Sequence, residues 1–227
     1  MDTRCLRGLM STQTWEHATL AVSDDRCRPG DVDPIERISN LFTDSVQAAT
    51  RAAEIQTAAI ALAADRIVSS LLGGGKVLSC GNGCSAADAQ YFVAQMQHRF
   101  ERERPGLPAI ALNSDAATLT AIAVDEGFSE IFARQIGALG HPGDVLLVLS
   151  IDGMADNTTA ALESAKERQL QIIALTGGDG GEIAVRLRST DIEIRAPSVD
   201  AARILENHRL VIHCLCDLID TTLLGSD

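Results

Sequence analysis

The chain has 227 residues and a formal net charge of −12, from 19 Lys+Arg against 31 Asp+Glu. That balance argues against direct wrapping of nucleic acid, where clustered Lys and Arg must neutralise phosphates. Hydrophobic residues make up 46% but aromatic residues only 3%, the aliphatic, alanine-rich composition of helix-covered sheets, and the length suits one domain or one domain with a tail.

Residues 1–33 show no sustained period and are expected to be a flexible N-terminal extension, with 34–227 as one domain. The extension lacks the apolar core of a signal peptide, and no uncharged span is long enough for a membrane helix, so a cytoplasmic protein with no membrane partner is expected. From Pro34 the apolar residues Ile35, Ile38, Leu41, Phe42, Val46 and Ala49 fall on one helical face. A second helix is predicted over Ile55–Leu72, ended by Gly73-Gly74-Gly75. Next comes the stretch that organises the chain. Lys76 to Cys80 is a buried parallel strand, Gly81-Asn82-Gly83 a tight turn, and Ser85 the predicted cap of a helix whose apolar positions are Ala89, Phe92, Val93 and Met96. Free amides at such a turn can hold an anion, or the turn merely reverses the chain.

Strands and helices then alternate. A second strand is predicted at Ala109–Leu112, helices at Ala116–Val124 and Ser129–Leu139, and a third strand at Asp144–Ser150. A helix at Asn157–Gln169, strands at Gln171–Thr176 and Asp191–Ile194, and a long helix at Ser198–Leu224 complete the order. This is the pattern of an α/β fold with a five-stranded parallel sheet and right-handed crossovers, whose ligands lie beyond the strands' carboxyl ends. The turns at Gly81, Ser150 and Thr176 should therefore converge. Cys80, Cys214 and Cys216 fall on apolar elements and read as small hydrophobes rather than disulfide partners.

Gly81-Asn82-Gly83-Cys84-Ser85, the run Arg104-Pro105-Gly106-Leu107-Pro108-Ala109-Ile110-Ala111-Leu112, and Leu175-Thr176-Gly177 resemble the sugar isomerase (SIS) family, in its phosphoheptose isomerase branch, from about Pro34 to Leu224. The resemblance implies a flavodoxin-like three-layer αβα fold, with the helices ahead of the sheet used in subunit packing. It implies a sugar-phosphate site at Asn82, Gly83, Cys84, Ser85, Asp125, Ser150, Asp152, Gly153 and Thr176. Several positions depart from the family. Its Ser-Thr-Ser-Gly-Asn-Ser loop is Ser150-Ile151-Asp152-Gly153-Met154-Ala155 here. A carboxylate at Asp152 facing a phosphate would repel it by roughly 4 kcal/mol per unit charge at ~4 Å and an effective dielectric near 20; alternatively Asp152 points to solvent or caps the helix near Asp156. The family's metal-sharing His and Glu on the central helix correspond to Tyr91 and Gln95, and its Gln and His on the last helix to Leu205 and His213. Tyr91, Gln95 and His213 are thus the positions of a degenerate catalytic set in which His213 is the one candidate ligand remaining of four; no residue is assigned as catalytic, and no metal or cofactor is expected, zinc entering only if the chain is an active isomerase. His213 reads either as a remnant of the pocket wall or as a helix histidine paired with an acid, and Asp125 either meets a hydroxylated ligand or caps the next helix.

A second resemblance rests on Ser85-Ala86-Ala87, Phe100-Glu101-Arg102-Glu103-Arg104-Pro105, Ala138-Leu139-Gly140-His141, Ala202-Arg203-Ile204 and Cys214-Leu215-Cys216-Asp217-Leu218-Ile219-Asp220. These are similar to the DnaA initiator-associating proteins (DiaA). That likeness implies a non-catalytic homotetramer that binds the replication initiator DnaA and promotes its assembly at the chromosomal origin. Leu223 and Leu224 are then a candidate partner patch, or else they staple the helix end to its own subunit. The expectation carried forward is this scaffold. The alternatives are an isomerase acting on sedoheptulose 7-phosphate and a non-catalytic sugar-phosphate sensor.

Overall fold

The computed structural model describes residues 33–225. Contacts divide the chain into Met1–Ile38 and Ser39–Asp227. The expected extension lies outside the described residues except for Asp33, whose carboxylate accepts the Ile35 N–H at 2.9 Å and opens the first helix.

That helix, α1, runs unbroken over Pro34–Leu72, where the periodicity predicted two. The linking residues Thr50-Arg51-Ala52-Ala53-Glu54 contain neither Gly nor Pro, so nothing interrupts the backbone hydrogen bonds. Beyond it come β1 (Val77–Gly81), α2 (Cys84–Gln97), β2 (Ala109–Ala111), α3 (Ala116–Asp125) and α4 (Ala133–Leu139). β3 (Val145–Leu149), α5 (Asp156–Glu167), β4 (Gln171–Thr176), α6 (Gly181–Arg186), β5 (Ile192–Arg195) and α7 (Ala201–Leu224) follow. The predicted helix over Ser129–Leu139 is in fact a 3-10 turn at Phe128–Glu130 and then α4, because Ile131 and Phe132 between them turn into the core. Helix α6 escaped prediction: its six residues start at a glycine pair, with Gly180 left-handed, and are too few to show a period.

The five strands are all parallel, in the order β2-β1-β3-β4-β5. Alternate strand residues face opposite ways. Val77, Leu147, Leu149, Ile173 and Leu175 pack with α1, α2 and α7, whereas Leu78, Cys80, Leu146, Val148, Ile172 and Ala174 pack with α4, α5 and α6. The three-layer α/β expectation holds. The carboxyl ends of β1, β3 and β4 lie side by side, with Gly81 opposite Leu149 and Leu149 opposite Leu175.

By length and composition α1 could cross a membrane. Its later half does otherwise, since Ala63, Ala64, Ile67 and Val68 are buried against the sheet. Other apolar residues along it are exposed, Leu41, Phe42 (to 71%), Val46, Ile55 and Leu62, although Ala48 and Ala52 are buried. The later part of α1 thus covers its own sheet, with Ala59, Ile60 and Leu71 packing on the same core.

Candidate functional site

Strand β1 ends at Gly81, where a side chain has no room: a Cβ there would stand 2.8 Å from the Leu149 carbonyl oxygen and 2.9 Å from the Ser85 Cβ. The turn that follows is held by two amide side chains. Asn82 and Asn157 exchange hydrogen bonds of 2.7 and 2.9 Å, tying the turn to the first turn of α5, and Asn113 Nδ2 donates to the Gly81 carbonyl at 2.8 Å. The N-cap of α2 is Gly83, at φ 56°, with no side-chain cap. Ser85 was expected to cap this helix. It is instead a buried residue inside it, and its hydroxyl has no hydrogen-bond partner. Gly83 and Cys84 are exposed and present the positive end of the helix dipole to solvent, while the Ser85 and Ala86 amides behind them donate to the Asn82 carbonyl at 3.0 and 3.4 Å.

The loop after β3 satisfies itself. The Ser150 hydroxyl accepts the Gly153 N–H at 2.9 Å and donates to Asp152 at 3.4 Å, while Asp152 accepts the Met154 N–H at 3.1 Å. Asp152 is exposed and does not cap α5, whose N-cap is Ala155 without a side-chain bond; the solvent-facing reading holds and the capping reading fails. Gly153 is buried at φ 69°, its Cα so close to Gly180 that a Cβ would lie 2.0 Å from that carbonyl oxygen. Thr176 is turned inward, its hydroxyl donating to Glu193 at 2.6 Å and its carbonyl accepting from His208 Nε2 at 2.9 Å. It is a structural residue here, because its hydrogen bonds are spent on β5 and α7. Asp125 ends α3 exposed, and the cap of the next turn is Gly127, so its capping reading fails as well.

A second cluster grows from the turn. Cys84, Asp88, Tyr91 and Gln95 recur at four, three and four, forming one stripe along α2; Leu205, Arg209 and His213 recur at four along α7. The stripes meet. Tyr91 Oη lies 3.0 Å from His213 Nε2, with the rings edge to face at 5.7 Å, and the Phe100 ring packs on the imidazole, tilted by 31°, at 5.7 Å. The Arg209 guanidinium sits 3.8 Å over the Tyr91 ring and pairs with the buried Asp88. His213 therefore pairs with a phenol, not with the acid expected of a helix histidine. Arg209 and Asp88 were missed, although the stripe spacing could have raised them.

The donor set does not fit zinc. At the four positions stand a phenol, a neutral amide, a leucine and one imidazole whose Nε2 is already engaged, whereas zinc takes imidazole, thiolate and carboxylate in a tetrahedron. Among the described residues no group of three His, Cys, Asp or Glu could hold a metal. The cysteines Cys80, Cys84, Cys214 and Cys216 are free, and burial pushes the Cys80 thiol up to about 12. At the far end of α7, Leu223 packs on its own core while Leu224 is exposed. The two do not form a surface pair, since neighbours on a helix point about 100° apart.

Known proteins place this geometry. The SIS domain family matches residues 41–177. Phosphoheptose isomerase of Shewanella sp. (strain ANA-3) is 54% identical over 193 residues, which is 85% of this chain and 98% of that protein. The protein of the same name from Shewanella oneidensis gives the same figures. The solved phosphoheptose isomerase from Francisella tularensis superposes with a TM-score of 0.82 at 47% identity, over 84% of this chain and 100% of that one. The one from Neisseria gonorrhoeae gives 0.78 at 43%, over 82% and 98%. These findings correct the expectation of a DnaA-binding scaffold: the relatives that align over nearly the whole matched length are named for the isomerase, and none of these findings points to DnaA. The candidate patch at Leu223 and Leu224 loses its purpose with it.

Proposed function

The chain belongs to the SIS domain family, and from that premise we propose that it isomerises a phosphorylated sugar of the phosphoheptose class. The supporting observation is the 54% identity to phosphoheptose isomerases across 85% of the chain. The phosphate is received at the opening turn of α2, around Asn82 and the exposed Gly83 and Cys84, with the buried, unpartnered Ser85 hydroxyl beneath them. The sugar lies along the stripe toward Tyr91, about 10 Å farther along the helix axis from Cys84 at 1.5 Å per residue.

Interconverting a ketose and an aldose moves one proton between neighbouring carbons and another between their oxygens. The work needs a group that takes a proton and returns it. Tyr91 and His213 are the pair on the stripe able to do so, since a proton can pass between phenol oxygen and imidazole nitrogen across their 3.0 Å contact. No metal takes part. A second reading, sugar-phosphate binding without turnover, is favoured by Gln95, a neutral amide where the family resemblance places the carboxylate base. The same family reading carries self-association through the bare face of α1.

The test is incubation with sedoheptulose 7-phosphate, with product followed by NMR. Turnover that falls at least a hundredfold in Tyr91→Phe and in His213→Asn supports the isomerase. Saturable binding with no product supports the second reading, and absence of both binding and product overturns the two together.

A further inference from the structure

Arg209 is the one permanent positive charge on the two stripes, and nothing in the isomerisation just described uses it. It is held from two sides. Asp88, 5% exposed, takes one guanidinium nitrogen, and the Tyr91 ring supports the guanidinium plane at 3.8 Å. A buried carboxylate that lost its partner would be strongly destabilised, so the pair stays closed and Arg209 is fixed in direction. Its side chain is nevertheless 38% exposed. A guanidinium has five N–H donors and Asp88 is met through one terminal nitrogen, which leaves donors for oxygens arriving beside the Tyr91 hydroxyl and His213 Nε2.

We infer that Arg209 is the fixed cation of this site: it binds the carbonyl and hydroxyl oxygens of a phosphorylated sugar next to Tyr91 and His213, and the site works without a metal ion. The inference rests on the phosphosugar reading. Its chemistry follows from charge. Isomerisation through an enediol builds negative charge on a carbonyl oxygen, and a preorganised cation in a partly dry site stabilises that charge. A guanidinium remains protonated throughout and needs no bound ion. The misfit of the zinc donors and the presence of Arg209 then have one explanation, a cation supplied by α7 itself.

The experiment is titration calorimetry on the full chain with two probes, sedoheptulose 7-phosphate and inorganic phosphate, each with and without EDTA. Arg209→Gln removes the cation, and Asp88→Asn with Arg209→Gln removes the whole pair so that no buried charge is stranded. The expected result is sugar-phosphate binding unaffected by EDTA and weakened at least tenfold in both variants, with inorganic phosphate, held at the α2 turn, bound as in the wild type. Binding abolished by EDTA, or variants that bind the sugar phosphate as the wild type does, would overturn the inference while leaving the phosphosugar reading intact. A wild-type chain that binds neither probe would sink that reading and the inference with it.

Discussion

His208 on α7 is wholly buried, and its Nε2 meets the Thr176 carbonyl. A carbonyl only accepts, so Nε2 carries the proton and the unpartnered Nδ1 is a bare lone pair. Burial lowers the His208 pKa from its usual 6.5, opposed by the Thr176 bond and the field of Asp88. The unfolded chain therefore takes up a proton that the folded chain refuses. Stability is full above the unfolded value and is lost as pH falls below about 6.5 toward the lowered folded value. Melting temperatures followed from about pH 7.5 down to about pH 5 should drop less steeply in His208→Gln, which keeps a donor for Thr176 but does not titrate. Parallel curves for the two proteins would refute this account. At this scale the sequence singled out Tyr91 as an altered position and His213 as the one candidate ligand that remains. It did not pair them, because they are 122 residues apart, and it passed over Arg209 and Asp88, 121 apart, because neither belongs to a local motif.

The site depends on how α2 is set against α7, and Arg104 fixes that setting. Its guanidinium donates to the Gln95 and Met96 carbonyls at 2.8 Å each, capping the last turn of α2, and to Asp220 of α7 at 2.6 Å. Both partners of the ion pair are nearly dry, at 2% and 4% side-chain exposure. Arg104→Met leaves the Asp220 carboxylate and the Gln95 carbonyl without their partner, the Met96 carbonyl keeping the Leu107 N–H, and should cost about 3–5 kcal/mol in chemical denaturation. Asp220→Asn, which keeps an acceptor for Arg104 while removing the carboxylate charge, should cost less; equal costs would mean that capping α2 is not what Arg104 contributes. The Arg104-Pro105-Gly106 motif was legible as a family feature, yet its work was not, since the bonds run to a helix end and to a residue 116 positions away. Elements were more legible than contacts. β4 was predicted at its observed limits, and the other strands were found to within one residue at either end, whereas α1 was predicted as two helices and is one.

For the molecule as a whole, α1 carries an exposed apolar face. Phe42 and Val46 are exposed, and on the same side of the helix an apolar groove of about 380 Å³ runs between α1 and α7, lined by Ala49, Ala53, Ile60, Leu210, Cys214 and Leu218, whereas the exposed Ile55 and Leu62 point the other way. An exposed apolar face beside an apolar groove favours burial against another copy of the chain. Light scattering should give a mass several times that of one chain, and Phe42→Asp with Val46→Asp, exposed positions whose replacement opens no cavity, should lower it. A wild-type mass of a single chain at micromolar concentration would exclude this assembly. The sequence by itself determined the alternation of strands and helices, the parallel sheet and the glycine turn that opens α2, because each is written in local periodicity and in the conformational freedom of a few residues. Only the tertiary structure decided that Ser85 is buried rather than capping, that Thr176 is consumed by Glu193, that Asp152 serves its own loop, and that Tyr91, His213, Arg209 and Asp88 form one cluster. These outcomes depend on which distant side chains the sheet brings within bonding distance, and on how many hydrogen bonds each polar group has left once it is there.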